Sequence, residues 1–240
     1  MRNPIYEPKG EAKEYADFAL NIYTGCNFRC FYCYCPGIMR KKKEEFHSNV
    51  QVRNGIIEAT NKQLQKWENS GIKNRTIHLC FIGDPFPNGH KHNVTLQLIK
   101  LLKSYGHNIQ ILTKNYNAIF EHQELLNILD KDDCFGITYD GGNNIYQNEE
   151  ECFRNASLCL KEVKDNGKCK TWVSFEPVVN GENVLNFIER NHGNIDNAKI
   201  GKLNHFNSDV NWKEFGNRAE KICEEKELNY MIKNSLKKEM

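Results

Sequence analysis

Cys26, Cys30, Cys33 and Cys35 stand close together in a chain with ten cysteines. The first three are spaced C-x₃-C-x₂-C and directly follow a predicted strand, so one loop can turn three thiolates toward a common centre. Soft thiolates select zinc or iron–sulfur clusters. Protein-bound cubanes usually have four cysteine ligands, so three would leave one iron open. An open metal position is where a reactant binds. A structural zinc site on Cys26, Cys30 and Cys33, completed by Cys35 or His47, is the second reading, but the usual second C-x₂-C-like pair is missing. A redox disulfide would ask for a single C-x-x-C. Cys35, followed by Pro36, reads as a packing neighbour. Cys80, Cys134, Cys152, Cys159, Cys169 and Cys223 are scattered and read mostly as small core residues.

Such a loop needs a frame. Apolar, β-rich runs alternate with helical patterns along the chain. Strands are predicted at Phe18–Tyr23, Thr76–Ile82, Asn108–Leu112, Cys134–Thr138, Thr171–Phe175, Ala198–Leu203 and Tyr230–Ile232. Helices are predicted at Asn54–Asn69, Val94–Tyr105, Asn117–Leu129, Glu149–Asn166, Val184–Arg190 and Trp212–Lys226. Asn93 is placed to cap the second helix and Gly106 to end it, and Gly167 follows the fourth. Cys152, Ala156, Cys159, Leu160 and Val163 make one apolar face of that fourth helix. Trp212 and Phe215 are expected to pack the last one. Short connections favour parallel strands with right-handed crossovers. Six such units predict an α/β fold, a partial (β/α)6 TIM-like barrel, with an open doubly wound sheet as the alternative. Either way, functional residues gather at the C-terminal ends of the strands.

The 240 residues carry 33 basic and 31 acidic side chains, net +2, with 39% hydrophobic and 27% charged residues. This is a globular composition without a global field for nucleic acid. No linker or repeat divides it, so one domain over residues 1–240 is expected. No apolar run suits a membrane span and no signal core opens the chain. A cytoplasmic protein is therefore expected, in which ten cysteines are not a disulfide framework.

The segment Asn21-Ile-Tyr-Thr-Gly-Cys26-Asn-Phe-Arg-Cys30-Phe-Tyr-Cys33 resembles the radical SAM superfamily. Its signature C-x₃-C-x-aromatic-C is met by Cys26, Cys30, Tyr32 and Cys33. Asn21-x-Tyr23-x-Gly25-Cys26, Asp84-Pro85-Phe86 and Leu112-Thr113-Lys114 are similar to the group that includes spore photoproduct lyase and the DNA repair photolyases. The resemblance runs in order to about Met231-Ile232-Lys233. It implies a radical SAM-type barrel and a [4Fe–4S] cluster on Cys26, Cys30 and Cys33. The open iron would chelate S-adenosylmethionine, and one electron from a donor such as flavodoxin or ferredoxin would cleave it. The resulting 5′-deoxyadenosyl radical would abstract hydrogen from a substrate, making the chain a lyase or oxidoreductase.

The resemblance also implies cofactor contacts. Tyr32 would lie against the adenine. Gly83 and Asp84 match the turn facing the methionyl amine, although many relatives have a Gly-Gly-Glu type motif there. Lys114 would pair with the methionyl carboxylate. Thr138 and Asp140 would meet the ribose, and Glu176 ends the fifth main strand. Val178 is placed near the adenine. Bland readings stand beside these: Lys114 in a polar loop, Asp140-Gly141-Gly142 as a turn signal, Asp84 as a turn cap.

The substrate is open among nucleic acid, peptide and small molecule. Lesion-repair lyase chemistry follows from the nearest resemblance, and Arg40-Lys-Lys-Lys43, Arg53 and Lys202 could meet phosphates. However, Glu44 and Glu45 follow the basic run at once. Only Cys223 lies beyond Cys169, which disfavours peptide-maturing relatives with auxiliary clusters. A non-catalytic iron–sulfur or zinc protein is the remaining class. Lys202 and Asn204 are further candidates for substrate contacts. Of His78, His90, His92 and His205, the His90-Lys-His92 run reads as a solvated loop.

Overall fold

The computed structural model describes residues 3–240. The strands are β1 Ile5–Tyr6, β2 Phe18–Leu20, β3 Thr76–Leu79, β4 Asn108–Thr113, β5 Cys134–Thr138, β6 Lys170–Phe175, β7 Asn197–Ile200 and β8 Tyr230–Ile232. The helices are α1 Cys35–Ile38, α2 Lys43–Ser48, α3 Ile56–Asn69, α4 Asn93–Ser104, α5 Ala118–Glu121, α6 Leu125–Ile128, α7 Glu149–Asn166, α8 Gly181–Asn191, α9 Trp212–Glu225 and α10 Asn234–Lys237.

The eight strands form one sheet in sequence order. β1 pairs antiparallel with β2, and β2 to β8 are parallel throughout. An order that never reverses places the crossover helices on a single face, so the other face curls into a lumen. Among the described residues β1 and β8 do not pair, so the barrel is partial. The doubly wound alternative is excluded, because it requires a reversal in strand order. The parallel strands number seven, one more than the six predicted barrel units.

On β4, Ile109, Ile111 and Thr113 are buried while Gln110 alternates with them toward the lumen. The lumen is unusually polar. Tyr15, in the segment before β2, reaches Ser174 Oγ at 2.9 Å and donates to Glu176 Oε2 at 2.7 Å. Lys199 Nζ donates to Glu14 O at 2.7 Å and lies 4.6 Å from the Tyr15 ring centroid. His78 Nδ1 is 3.2 Å from Gln110 Nε2. Trp172 Nε1 donates to Ile111 O at 2.8 Å, and its indole fills the space where a Cβ on Gly136 would stand.

Most predicted elements are present with shifted ends. α7 starts at a reciprocal cap in which Asn148 Oδ1 accepts from Glu151 N and the Glu151 carboxylate accepts from Asn148 N, and it ends at left-handed Gly167. Its five-residue apolar face is buried, as are Phe215 and Cys80, while Trp212 packs partly buried. Three expectations need correction. The strand predicted to Tyr23 stops at Leu20, because the Asn21 side chain turns away to bind the loop after β3. The helix predicted over Asn117–Leu129 is broken at His122, whose backbone leaves the helical region. α4 begins at Asn93 without a side-chain cap.

Candidate functional site

The Cys26–Cys33 loop lies between β2 and α1, at the C-terminal end of the sheet. Its first half is held backbone to backbone. A Cβ on Gly25 would stand 2.5 Å from Phe46 O and 2.6 Å from Asn49 O, so only glycine fits. Gly83, at φ +84°, faces it from the loop after β3, and a Cβ there would meet Gly25 O at 2.7 Å. Cys26 N donates to Phe46 O at 3.2 Å, and His47 Nδ1 lies 2.7 Å from Cys26 O. Asn21 joins three elements: its Oδ1 accepts from Phe81 N at 2.9 Å and Ile82 N at 2.8 Å, and its Nδ2 donates to Tyr6 Oη at 2.8 Å. Tyr23 Oη is 3.0 Å from Thr95 Oγ1. The motif residues around the cysteines are thus the fasteners of their loop.

Cys26, Cys30 and Cys33 are half-buried and free, and Cys35 is buried. The three sulfurs do not all lie within 4.8 Å of one another. A single tetrahedral zinc with bonds of about 2.3 Å would draw its thiolates to roughly 3.8 Å apart. A cubane takes its thiolates at separate corners and accommodates the wider set. His47 does not join them as a ligand within that range. Cys35 Sγ lies 3.5 Å from Phe81 O, and its thiol also stands beside that of Cys33, which it helps hold down to about 7. Three thiols on one loop that do not close around a single point suit the separate corners of a cluster. Burial, with the Asp84 charge next, pushes the Cys26 thiol well up, and burial also raises Cys30, against the opposing Lys114 ammonium. Unmetallated, these two groups stay protonated, and a bound metal would deprotonate them.

Tyr32, Lys114 and Asp140 converge beside this loop. Lys114 Nζ donates to Asp140 Oδ2 at 2.6 Å, and Tyr32 Oη donates to the same oxygen. Lys114 Nζ also lies 5.3 Å from the Tyr32 ring centroid. Gly142 N donates to Asp140 Oδ1 at 3.0 Å. Burial works against both charges, but each holds the other ionised. The Asp140 carboxylate raises Lys114, and the Lys114 ammonium lowers Asp140.

The other predicted residues fall less evenly. Asp84 is buried and both its oxygens are engaged: Thr113 Oγ1 donates at 2.6 Å, Lys114 N at 2.7 Å and Phe86 N at 2.8 Å. It ties the loop after β3 to the end of β4, which is the turn-cap reading extended to a neighbouring strand. Burial raises its pKa from the ordinary aspartate value, with these hydrogen bonds opposing. Thr138 is buried and its carbonyl accepts from Tyr116 Oη at 3.0 Å. Glu176 is paired with Lys233 and Tyr15 in the lumen, and Val178 is fully buried. Lys202 is paired with Glu239 instead of being free for substrate, while Asn204 is half-buried. Within the basic run, Lys43 Nζ donates to Phe31 O at 2.9 Å and braces the cysteine loop. His90 is exposed, but His92 is not in a solvated loop: it is buried, with its ring turned inward at the start of α4. Sequence reading missed Tyr15, Lys199 and Lys233, whose partners are remote in the chain.

Exposed aromatics line this end of the molecule. Phe31 and Tyr34 come from the cysteine loop, Tyr146 from the β5–α7 connection and Phe206 from the β7–α9 connection. The Phe31 and Phe206 rings meet edge to face at 5.5 Å, and Tyr146 Oη donates to Asn27 O at 3.1 Å.

No protein-family model and no curated protein matches the chain. Its fold is similar to that of spore photoproduct lyase complexed with dinucleoside spore photoproduct, at TM-score 0.69 and 12% identity, covering 95% of this chain and 79% of that one. The fold is that of the radical SAM partial barrel. A double mutant of the same lyase, with bound AdoMet and dinucleoside spore photoproduct, aligns at TM-score 0.61 and 14% identity over 90% of this chain and 63% of that one. Streptococcus suis SuiB bound to precursor peptide SuiA aligns at TM-score 0.59 and 14% identity, over 89% of this chain and 48% of that one. The sequence words that resemble the spore photoproduct lyase group thus lie on the fold of that enzyme. Among the described residues no helix is long and apolar enough to cross a membrane.

Proposed function

We propose that this chain is a radical SAM enzyme. Cys26, Cys30 and Cys33 would hold a [4Fe–4S] cluster whose open iron takes S-adenosylmethionine. When bound, this pair supplies one-electron cleavage of S-adenosylmethionine and hydrogen abstraction from a substrate. The observation that carries the reading is the placement of the glycine-clamped cysteine loop beside the Tyr32–Asp140–Lys114 cluster at the strand ends.

The chain's own residues would bind, orient and shield. Gly25 and Gly83 let the cysteine loop and its neighbours pack backbone to backbone where a side chain would collide. Tyr32 offers a ring face for the adenine, held in place through Asp140. Asp140 can accept from ribose hydroxyls, with Thr138 beside it in sequence. Lys114 supplies a cation for the methionyl carboxylate, buried enough for its charge to act strongly. Asp84 acts by positioning Lys114 through the backbone, and Gly83 would face the methionyl amine. Glu176 and Val178 would shape the pocket from the β6 side.

The substrate would dock on the aromatic rim. Stacking faces from Phe31, Tyr34, Tyr146 and Phe206 suit an unstacked base, and equally an apolar peptide side chain. Lys43 and Lys202 already have partners, which weakens a phosphate track and the lesion-repair reading with it.

Anaerobic reconstitution with iron and sulfide tests the proposal. About four irons and four sulfides per chain, with 5′-deoxyadenosine formed after reduction, is the expected result, and Cys26→Ala abolishes both. One tight zinc and no iron would sink it. Reduction by flavodoxin or ferredoxin, and deuterium transfer from labelled DNA, RNA or peptides, would then define the partners.

A further inference from the structure

A second donor cluster lies on elements that share no residue with the cysteine loop. His92 stands immediately before α4, and Glu121 and His122 close α5. His92 Nδ1 is 2.6 Å from His122 Nε2 and 3.8 Å from Glu121 Oε2. All three ligand atoms lie within 4.8 Å of one another.

The His92 ring is oriented by its other nitrogen. Nε2 lies 2.8 Å from Pro87 O. A carbonyl offers no proton, so Nε2 carries the hydrogen and Nδ1 keeps its lone pair toward His122 and Glu121. An outer N–H donated to a backbone carbonyl is the usual support of a metal-bound imidazole. Phe86 walls the pair, with ring centroids 5.4 Å from His92 and 6.0 Å from His122. Two imidazoles and one carboxylate suit a borderline transition cation of the zinc class.

We propose that His92 Nδ1, His122 Nε2 and Glu121 Oε2 bind one zinc-class divalent cation, with water in the fourth position. The ion clamps the Asp84–Pro87 loop to the end of α5. Around a tetrahedral zinc the two nitrogens would stand roughly 3.3 Å apart. His122 would therefore back away slightly. It is half-exposed at the end of a four-residue helix and has room to do so. Glu121 is exposed and closes the site from the solvent side.

The test uses protein reconstituted anaerobically with iron and sulfide, so that the cysteine loop is occupied. After zinc is added and excess removed, metal analysis should find about one zinc per chain in the wild type that His122→Ala lacks. Glu121→Gln, at an exposed position, should weaken zinc affinity by at least about tenfold. Zinc should raise the melting temperature of the wild type, because a ligand bound only by the native state stabilises it. A wild type whose melting temperature ignores zinc overturns the proposal, whether or not the variants fold. So does equal zinc in wild type and His122→Ala, which would leave the two histidines a plain hydrogen-bonded pair.

Discussion

Asp140→Asn is the sharpest perturbation of the candidate site. The carboxylate is 7% exposed and the Lys114 side chain 13%. One oxygen serves both Lys114 Nζ and Tyr32 Oη, and the other serves Gly142 N. An asparagine has one acceptor oxygen and turns an NH₂ toward donors on one side or the other. The Lys114 charge is then buried without its counter-charge. Removing one partner of a buried ion pair costs about 3–5 kcal/mol. For a chain of this size each kcal/mol lowers the melting temperature by about 2–4 °C, so a drop of roughly 6–20 °C is expected. Urea unfolding of the metal-free protein measures the loss directly. The double variant Asp140→Asn/Lys114→Met should recover part of it, because no lone charge remains. A loss under about 1 kcal/mol in the single variant, the size typical of a solvated surface pair, would refute the buried cluster.

Three further outcomes are expected. Gly25→Ala should prevent cluster assembly, read as iron per chain, because its Cβ would lie 2.5 Å from Phe46 O; normal iron content would show that the loop relaxes freely. Gly136→Ala should cost about 1–3 kcal/mol from overpacking against Trp172, and Gly136→Ala/Trp172→Phe should be milder in urea unfolding. His78 is held down to about 3 from 6.5 by burial, with Lys199 adding to it. The unfolded chain therefore binds the extra proton first as pH falls, and stability contributed by neutral His78 is lost from about pH 6.5 toward 3. His78→Gln should flatten that part of the stability–pH curve, and an unchanged slope would count against a buried neutral imidazole.

Local sequence was sufficient where local physics decides. Alternating apolar runs placed the seven parallel strands, and the Asn148–Glu151 cap with Gly167 bounded α7. The two-residue β1 was too short to leave a pattern. The spacing of Cys26, Cys30 and Cys33 puts three thiols on one loop, which is what the proposed metal site rests on.

Tertiary structure decided what partner each side chain meets. Asp84 reads alike in sequence as turn cap or ligand, and only the arrival of Thr113 and Lys114 from β4 shows both its oxygens engaged. Tyr15 finds Ser174 and Glu176 159 and 161 residues away, a distance at which no local pattern survives. His92 looked solvated until Phe86, Pro87 and His122 enclosed it, and the same contact accompanies the break in the helix predicted over 117–129. The cysteine triad was legible because its three thiols share one loop. How the surrounding residues pair with one another was not, because a barrel mouth is assembled from strand ends that meet only when the sheet curls.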